Sequence, residues 1–184
     1  MKIIVAITAA SGAIYARQLL DTLIASDEVE RIAVVYSTNA RAVVEHEGVT
    51  LPHSSKIVEY DNADMFASIA SGSARWNAMV VVPSSVGTIG RVATGVSQTL
   101  IERAADVMLK ERRRLIFVVR ETPYSLIHLR NMTTLTEAGA VILPATPSFY
   151  SQPQDIEALC QTVTERITAM LGLEGKRYEW GGQC

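Results

Sequence analysis

The sequence predicts an α/β protein, a doubly wound layer sandwich whose parallel sheet lies between helices. Two observations carry this prediction. Five short apolar runs alternate with longer segments of helical period. The runs are nearly continuous in Val, Ile and Ala rather than alternating apolar with polar, as strands buried on both faces are. Strands and helices taking turns in one short chain imply parallel strands joined by crossover helices. With 184 residues, 48% hydrophobic and 20% charged, the chain can bury one core and is short for two.

The first run, residues 3–7, starts almost at the N-terminus with no apolar segment and cleavage site ahead of it, so no secretory signal is expected. Leu19, Leu20, Leu23 and Ile24 then form one face of a helix. A second strand covers 32–36, and a weaker run, 56–60, reads either as an edge strand or as part of a connection. The third strong run is 79–82, followed by a helix with Leu100, Ile101, Ala104, Ala105, Met108 and Leu109 on its apolar face. The fourth run is 115–119. Gly139 sits where a helix would end, ahead of the fifth run at 140–143. Past Pro153, Asp155 reads as the N-cap of a last helix with Ile156, Leu159, Val163, Ile167 and Met170 at three- and four-residue steps. No repeat, low-complexity tract or linker interrupts this order, so residues 1–184 are expected to form a single domain. No apolar run approaches the ~20 residues that cross a bilayer, and a soluble, cytoplasmic protein is expected.

The formal net charge of −2 argues against a nucleic-acid partner, which needs a concentrated basic surface. Thirteen of the seventeen basic residues are Arg, which suits bidentate recognition of phosphate or carboxylate, although genome composition gives the same bias. Cys160 and Cys184 belong to no ligand cluster, and His46, His53 and His128 show no metal spacing, so no metal site is expected.

In such sheets ligands bind at the carboxyl ends of the strands. After the first strand comes Thr8-Ala9-Ala10-Ser11-Gly12-Ala13, small enough to let a phosphate approach backbone N–H groups at a helix start; a turn built for close helix packing reads the same way. It is neither a Walker A loop nor G-x-G-x-x-G. Ser37-Thr38-Asn39 follows the second strand and suits a helix cap or a ligand. Pro83-Ser84-Ser85-Val86-Gly87-Thr88, with the Gly- and Thr-rich stretch to Gly95, offers a second phosphate cradle. Arg120-Glu121 ends the fourth strand, where charges need a partner or a ligand. Pro144-Ala145-Thr146-Pro147-Ser148-Phe149-Tyr150 closes the set with three side-chain hydroxyls. Polar or small-residue loops converging on one edge, one of them with Arg, favour an anionic ligand.

Six ordered segments together resemble the UbiX-type flavin prenyltransferases over nearly the whole chain. They are the Thr8 to Tyr15 string, Ala70-Ser71-Gly72-Ser73, the string from Ile101 to Glu111, Arg120-Glu121-Thr122-Pro123, Ile127-His128-Leu129-Arg130-Asn131-Met132, and Pro147-Ser148-Phe149-Tyr150-Ser151-Gln152-Pro153. The resemblance implies a three-layer Rossmann/flavodoxin-like fold and a dodecamer. It also implies transfer of a dimethylallyl group from dimethylallyl phosphate to N5 and C6 of reduced FMN. The product, prenylated FMN, serves a UbiD-type aromatic-acid decarboxylase, and no metal takes part.

Carried over by the resemblance, Ala9, Ala10, Ser11, Ser37, Ser85, Val86, Gly87, Thr88 and Arg120 hold FMN. Arg120, Lys110, Tyr150 and Arg166 grip the prenyl phosphate, and Arg103 and Glu121 lie beside them. Glu47 is placed in the site by a neighbouring subunit, and Trp180, on a tail of about 172–184, closes over the pocket. The chemistry asks for these types. Cleaving an allylic C–O bond develops charge on the departing phosphate, which Arg and Lys stabilise, and a Tyr or Glu can protonate it. Two positions depart from the pattern: Ala9 stands for a frequent Gly, at a cost of about 1 kcal/mol if the position needs positive φ, and Met65 lies near a position where some relatives carry an aromatic. Alternative readings are an FMN carrier and an FMN-dependent cysteine decarboxylase of related fold.

Overall fold

The computed structural model describes residues 1–175 together with Tyr178 and Gly181. Six strands, β1 (Lys2–Ile7), β2 (Arg31–Tyr36), β3 (Ile57–Tyr60), β4 (Ala78–Ser84), β5 (Arg114–Val119) and β6 (Val141–Pro144), form one sheet in the order β3-β2-β1-β4-β5-β6, with every pair parallel. This is the doubly wound Rossmann order, which reverses direction between β1 and β4. The helices are α1 (Ala13–Ala25), α2 (Ala40–His46), α3 (Val86–Ala93), α4 (Leu100–Lys110), α5 (Leu126–Glu137) and α6 (Ile156–Leu171).

The two-residue strand period sends neighbours to opposite faces, and both faces are covered. Ile3, Val5, Ile7, Val34, Val80 and Ile116 pack with Leu19, Leu20 and Leu23 of α1 and with Val163 and Ile167 of α6. Ile4, Ala6, Val35, Met79, Val81 and Phe117 pack with Ile89 of α3, Leu100, Ala104 and Met108 of α4, and Met132 and Leu135 of α5. The weak run 56–60 is the edge strand β3, with Glu59 exposed, which explains its mixed composition.

The Gly- and Thr-rich stretch after β4 is helical: Val86, Gly87 and Thr88 form the first turn of α3, capped by Ser85, whose Oγ accepts from Thr88 N at 3.3 Å. Asp155 does cap α6, accepting from Ala158 N at 2.7 Å, but Ile156 is 75% exposed. The buried stripe of α6 is Cys160, Val163, Thr164, Ile167 and Leu171 instead.

Candidate active site

The sheet reverses its winding between β1 and β4, and their two loops are tied to each other. Thr8, buried at the end of β1, donates its hydroxyl to the Pro83 carbonyl at 2.7 Å and accepts from Ser85 N at 2.8 Å. Ser85 Oγ in turn lies 3.1 Å from Thr88 Oγ1. On the other side of β4, Arg120 N donates to the Ser84 carbonyl at 3.1 Å, so Arg120 leaves β5 at the same edge.

The helix start after β1 is already held by an anion. Glu47, at the end of α2, accepts from Gly12 N at 2.9 Å and from Ala13 N at 2.7 Å, and takes the Ser11 hydroxyl as well. Burial would raise its carboxyl, but these donors and the charge of Arg120 outweigh it and hold the group below the usual carboxylate range. Glu47 is therefore ionised at neutral pH and acts there as an acceptor. Within its own chain Glu47 caps the loop that follows β1.

Gly12 adopts φ 115°, and a Cβ there would come within 2.8 Å of the Tyr15 ring. The turn thus needs glycine for both conformation and close packing. Ala9 is not among the positive-φ residues, so it carries no strain and the expected cost disappears. Tyr15 is pushed up to about 12, by burial first and then by its contact with Cys160, while Arg120 opposes the shift. It is a packing residue rather than an acid at neutral pH.

Beyond the ends of β2 and β3 lies a cleft of about 400 Å³ whose lining includes Ser37, Thr38, Arg41, Asn62, Gln98 and Thr99. Hydroxyls, amides and a guanidinium suit the phosphate and hydroxylated chain of a nucleotide. Arg41 is aimed by Glu59 at 2.7 Å and lies 3.8 Å over the Tyr36 ring. Of these residues only Ser37 was singled out as a ligand contact. Thr38 was read with it as a cap, and the others sit on elements distant in sequence, where no spacing marks them.

Tyr150 and Arg166 form a second group. They line a cavity of about 1060 Å³ between the free edge of β6 and α6, walled by Val141, Leu143 and Met170. Ala145 N donates to the Val119 carbonyl at 2.8 Å, so the loop carrying Tyr150 begins beside Arg120. Arg120 thus stands between the two groups. Glu121 is half-buried and caps its own turn, accepting from Thr122 N at 3.0 Å.

Lys110 and Arg103 are not brought to this edge. Helix α4 starts at the loop edge, where Asn62 holds Leu100 N and Ile101 N, and ends at Lys110 just ahead of the first residue of β5. Lys110 therefore lies at the opposite edge of the sheet, paired with Glu111 at 2.6 Å. Arg103 binds Asp106 at 2.8 Å and the Ala70 carbonyl at 3.1 Å. Within one chain, both depart from the expected grouping. Trp180 lies outside the described residues.

The flavoprotein family model matches residues 1–168. The flavin prenyltransferase UbiX of Pseudomonas aeruginosa is 44% identical, covering 99% of this chain and 95% of the relative. The chain belongs to the UbiX flavin prenyltransferase family. Solved structures agree with this membership. A dodecameric FMN-dependent UbiX-like decarboxylase from Escherichia coli O157:H7 superposes with a TM-score of 0.91 at 36% identity, covering 99% of this chain and all of that one. AnUbiX (PadA1) in complex with FMN and dimethylallyl pyrophosphate gives 0.87 at 38% identity, with 97% of this chain and 98% of that one covered. Both structures share nearly the whole length of the fold described above.

Proposed function

We propose that this chain transfers a dimethylallyl group from dimethylallyl phosphate to reduced FMN, and that a UbiD-type decarboxylase receives the prenylated product. Arg120, standing between the β1/β4 loops and the cavity holding Tyr150 and Arg166, is the observation that carries this reading. One residue can then face both a flavin held by the loops and a phosphate held at the cavity mouth. When bound in its reduced form, FMN supplies the nucleophilic N5 and C6 atoms.

The chain's own residues bind and position. Ala9, Ala10, Ser11, Ser37, Ser85, Val86, Gly87 and Thr88 hold the flavin. Arg120, Tyr150 and Arg166 hold the donor phosphate. As the allylic C–O bond breaks, the two guanidinium groups stabilise the charge growing on the departing phosphate, and the Tyr150 hydroxyl or Glu121 provides its proton. The apolar wall beside β6 keeps water from the allylic carbon. Lys110 and Arg103 reach a site only from a neighbouring copy, which fits an assembly like that of the dodecameric relative. The chain works as one FMN-binding domain with its C-terminal tail against the site, in the cytoplasm. Among the described residues no helix is long and apolar enough to cross a membrane. The carrier and cysteine-decarboxylase readings are not favoured, since the near full-length relatives are named prenyltransferases.

Release of inorganic phosphate tests the reaction. Under anaerobic conditions, phosphate should leave dimethylallyl phosphate in proportion to reduced FMN supplied. Equal release without flavin would mean a simple phosphatase and defeat the proposal.

A further inference from the structure

Tyr150 sits on the loop between β6 and α6, which has no regular structure around it, and its ring is 68% exposed. Two anchors fix this region to α6. Thr162 Oγ1 accepts from Ser148 N at 3.0 Å, two residues before Tyr150. One turn further along the same helix face, Glu165 accepts the backbone N–H of Tyr178, on the segment that follows α6. The Tyr178 ring then stacks on Tyr150, with centroids 6.3 Å apart and planes within 13°. Both rings, Glu165 and Arg166 line the same cavity. The helix face that presents Arg166 thus also holds Tyr178, whose ring supports that of Tyr150.

We infer that Glu165 and Tyr178 are positioning residues for the prenyl donor: Glu165 holds the Tyr178 backbone, and Tyr178 braces Tyr150 beside Arg166 at the mouth of the β6/α6 cavity. This rests on the reading that Tyr150 and Arg166 meet the donor phosphate. Stacking on Tyr178 restricts the rotamers of the exposed Tyr150 ring, order that the donor would otherwise have to supply on binding. Stacking and one backbone hydrogen bond settle that order beforehand. Glu165 and Tyr178 both line the β6/α6 cavity, so the effect is expected on the donor and not on FMN.

Steady-state kinetics with reduced FMN and dimethylallyl phosphate separates the outcomes. Tyr178→Ala and Glu165→Ala should each raise KM for the donor about fivefold, the loss of one stacked ring pair or one hydrogen bond, with flavin affinity unchanged. Tyr178→Phe keeps the ring, and Glu165→Gln keeps an acceptor oxygen, so both should restore the wild-type KM. The double variant Glu165→Ala/Tyr178→Ala should be no worse than either alone, because both break one brace. Unchanged donor KM in the alanine variants would overturn the inference, as would Glu165→Gln failing as badly as Glu165→Ala. An equal loss of flavin affinity would point to a general structural defect and overturn it too. Tyr150→Phe separates this from the parent reading. It keeps the braced ring and removes the hydroxyl, so full activity there would defeat the phosphate assignment, whereas the brace is read from the alanine variants alone.

Discussion

Glu47 shows how one side chain can organise a site without moving a proton. Its carboxylate supplies the cap that α1 lacks, since Gly12 has no side chain with which to do so. Glu47→Ala should destabilise the fold by about 1 kcal/mol, the usual worth of an N-terminal cap, and Glu47→Gln, which keeps an acceptor oxygen, should lose less. Thermal melting of the two variants compares them. The pH dependence has a definite sign. A carboxyl whose folded value is depressed contributes stability that is fully present above the unfolded value of about 4.3, and lost as pH falls through the folded value. Below about pH 4, the wild-type protein and Glu47→Ala should therefore converge in stability; a gap that stays constant down to pH 2 would contradict the capping role. Arg120→Ala, by contrast, should still bind flavin and fail to transfer the prenyl group, read by flavin fluorescence and product analysis. The contact between Glu47 and the α1 start joins residues 34 positions apart. No local pattern marks it, and only the family resemblance singled out Glu47 in the sequence.

At the scale of elements, the strands were legible because burial on both faces leaves nearly continuous apolar runs. β3 was ambiguous for the opposite reason: an edge strand carries polar residues such as Glu59 that a central strand cannot. Periodicity misassigned Ile156 to the core because an exposed apolar residue satisfies the same spacing as a buried one. Helix α3 has no clear helical signal in the sequence, since glycine and threonine are weak helix formers. Its Ser85 cap and its packing against the sheet through Ile89 and Val92 override that weakness. The turn between β1 and α1 is the least tolerant element. Gly12→Ala forces an alanine to φ 115° and its Cβ into the Tyr15 ring. The melting temperature should fall by several degrees, consistent with about 1–2 kcal/mol for left-handed strain on this scale. An unchanged melting temperature would show that the turn relaxes freely.

For the whole molecule, the open question concerns what lies between chains. Phe66 is fully exposed, and Ile127, Phe149 and Ile156 are each more than two-thirds exposed, apolar side chains available to contacts between copies. Lys110 sits at the edge away from its own site. Mixed assemblies test whether it serves another: Lys110→Ala and Arg120→Ala chains, each inactive alone, should regain activity when refolded together, because some sites then combine an intact Arg120 with a neighbour's intact Lys110. Continued inactivity of the mixture would place Lys110 outside the chemistry. All these expectations depend on the reaction itself, and one measurement reaches it directly. Protein is incubated anaerobically with reduced FMN and dimethylallyl phosphate, and the extracted flavin is weighed by mass spectrometry. The account predicts a flavin heavier by one C5 unit; unmodified FMN, recovered from protein that binds it tightly, would contradict it.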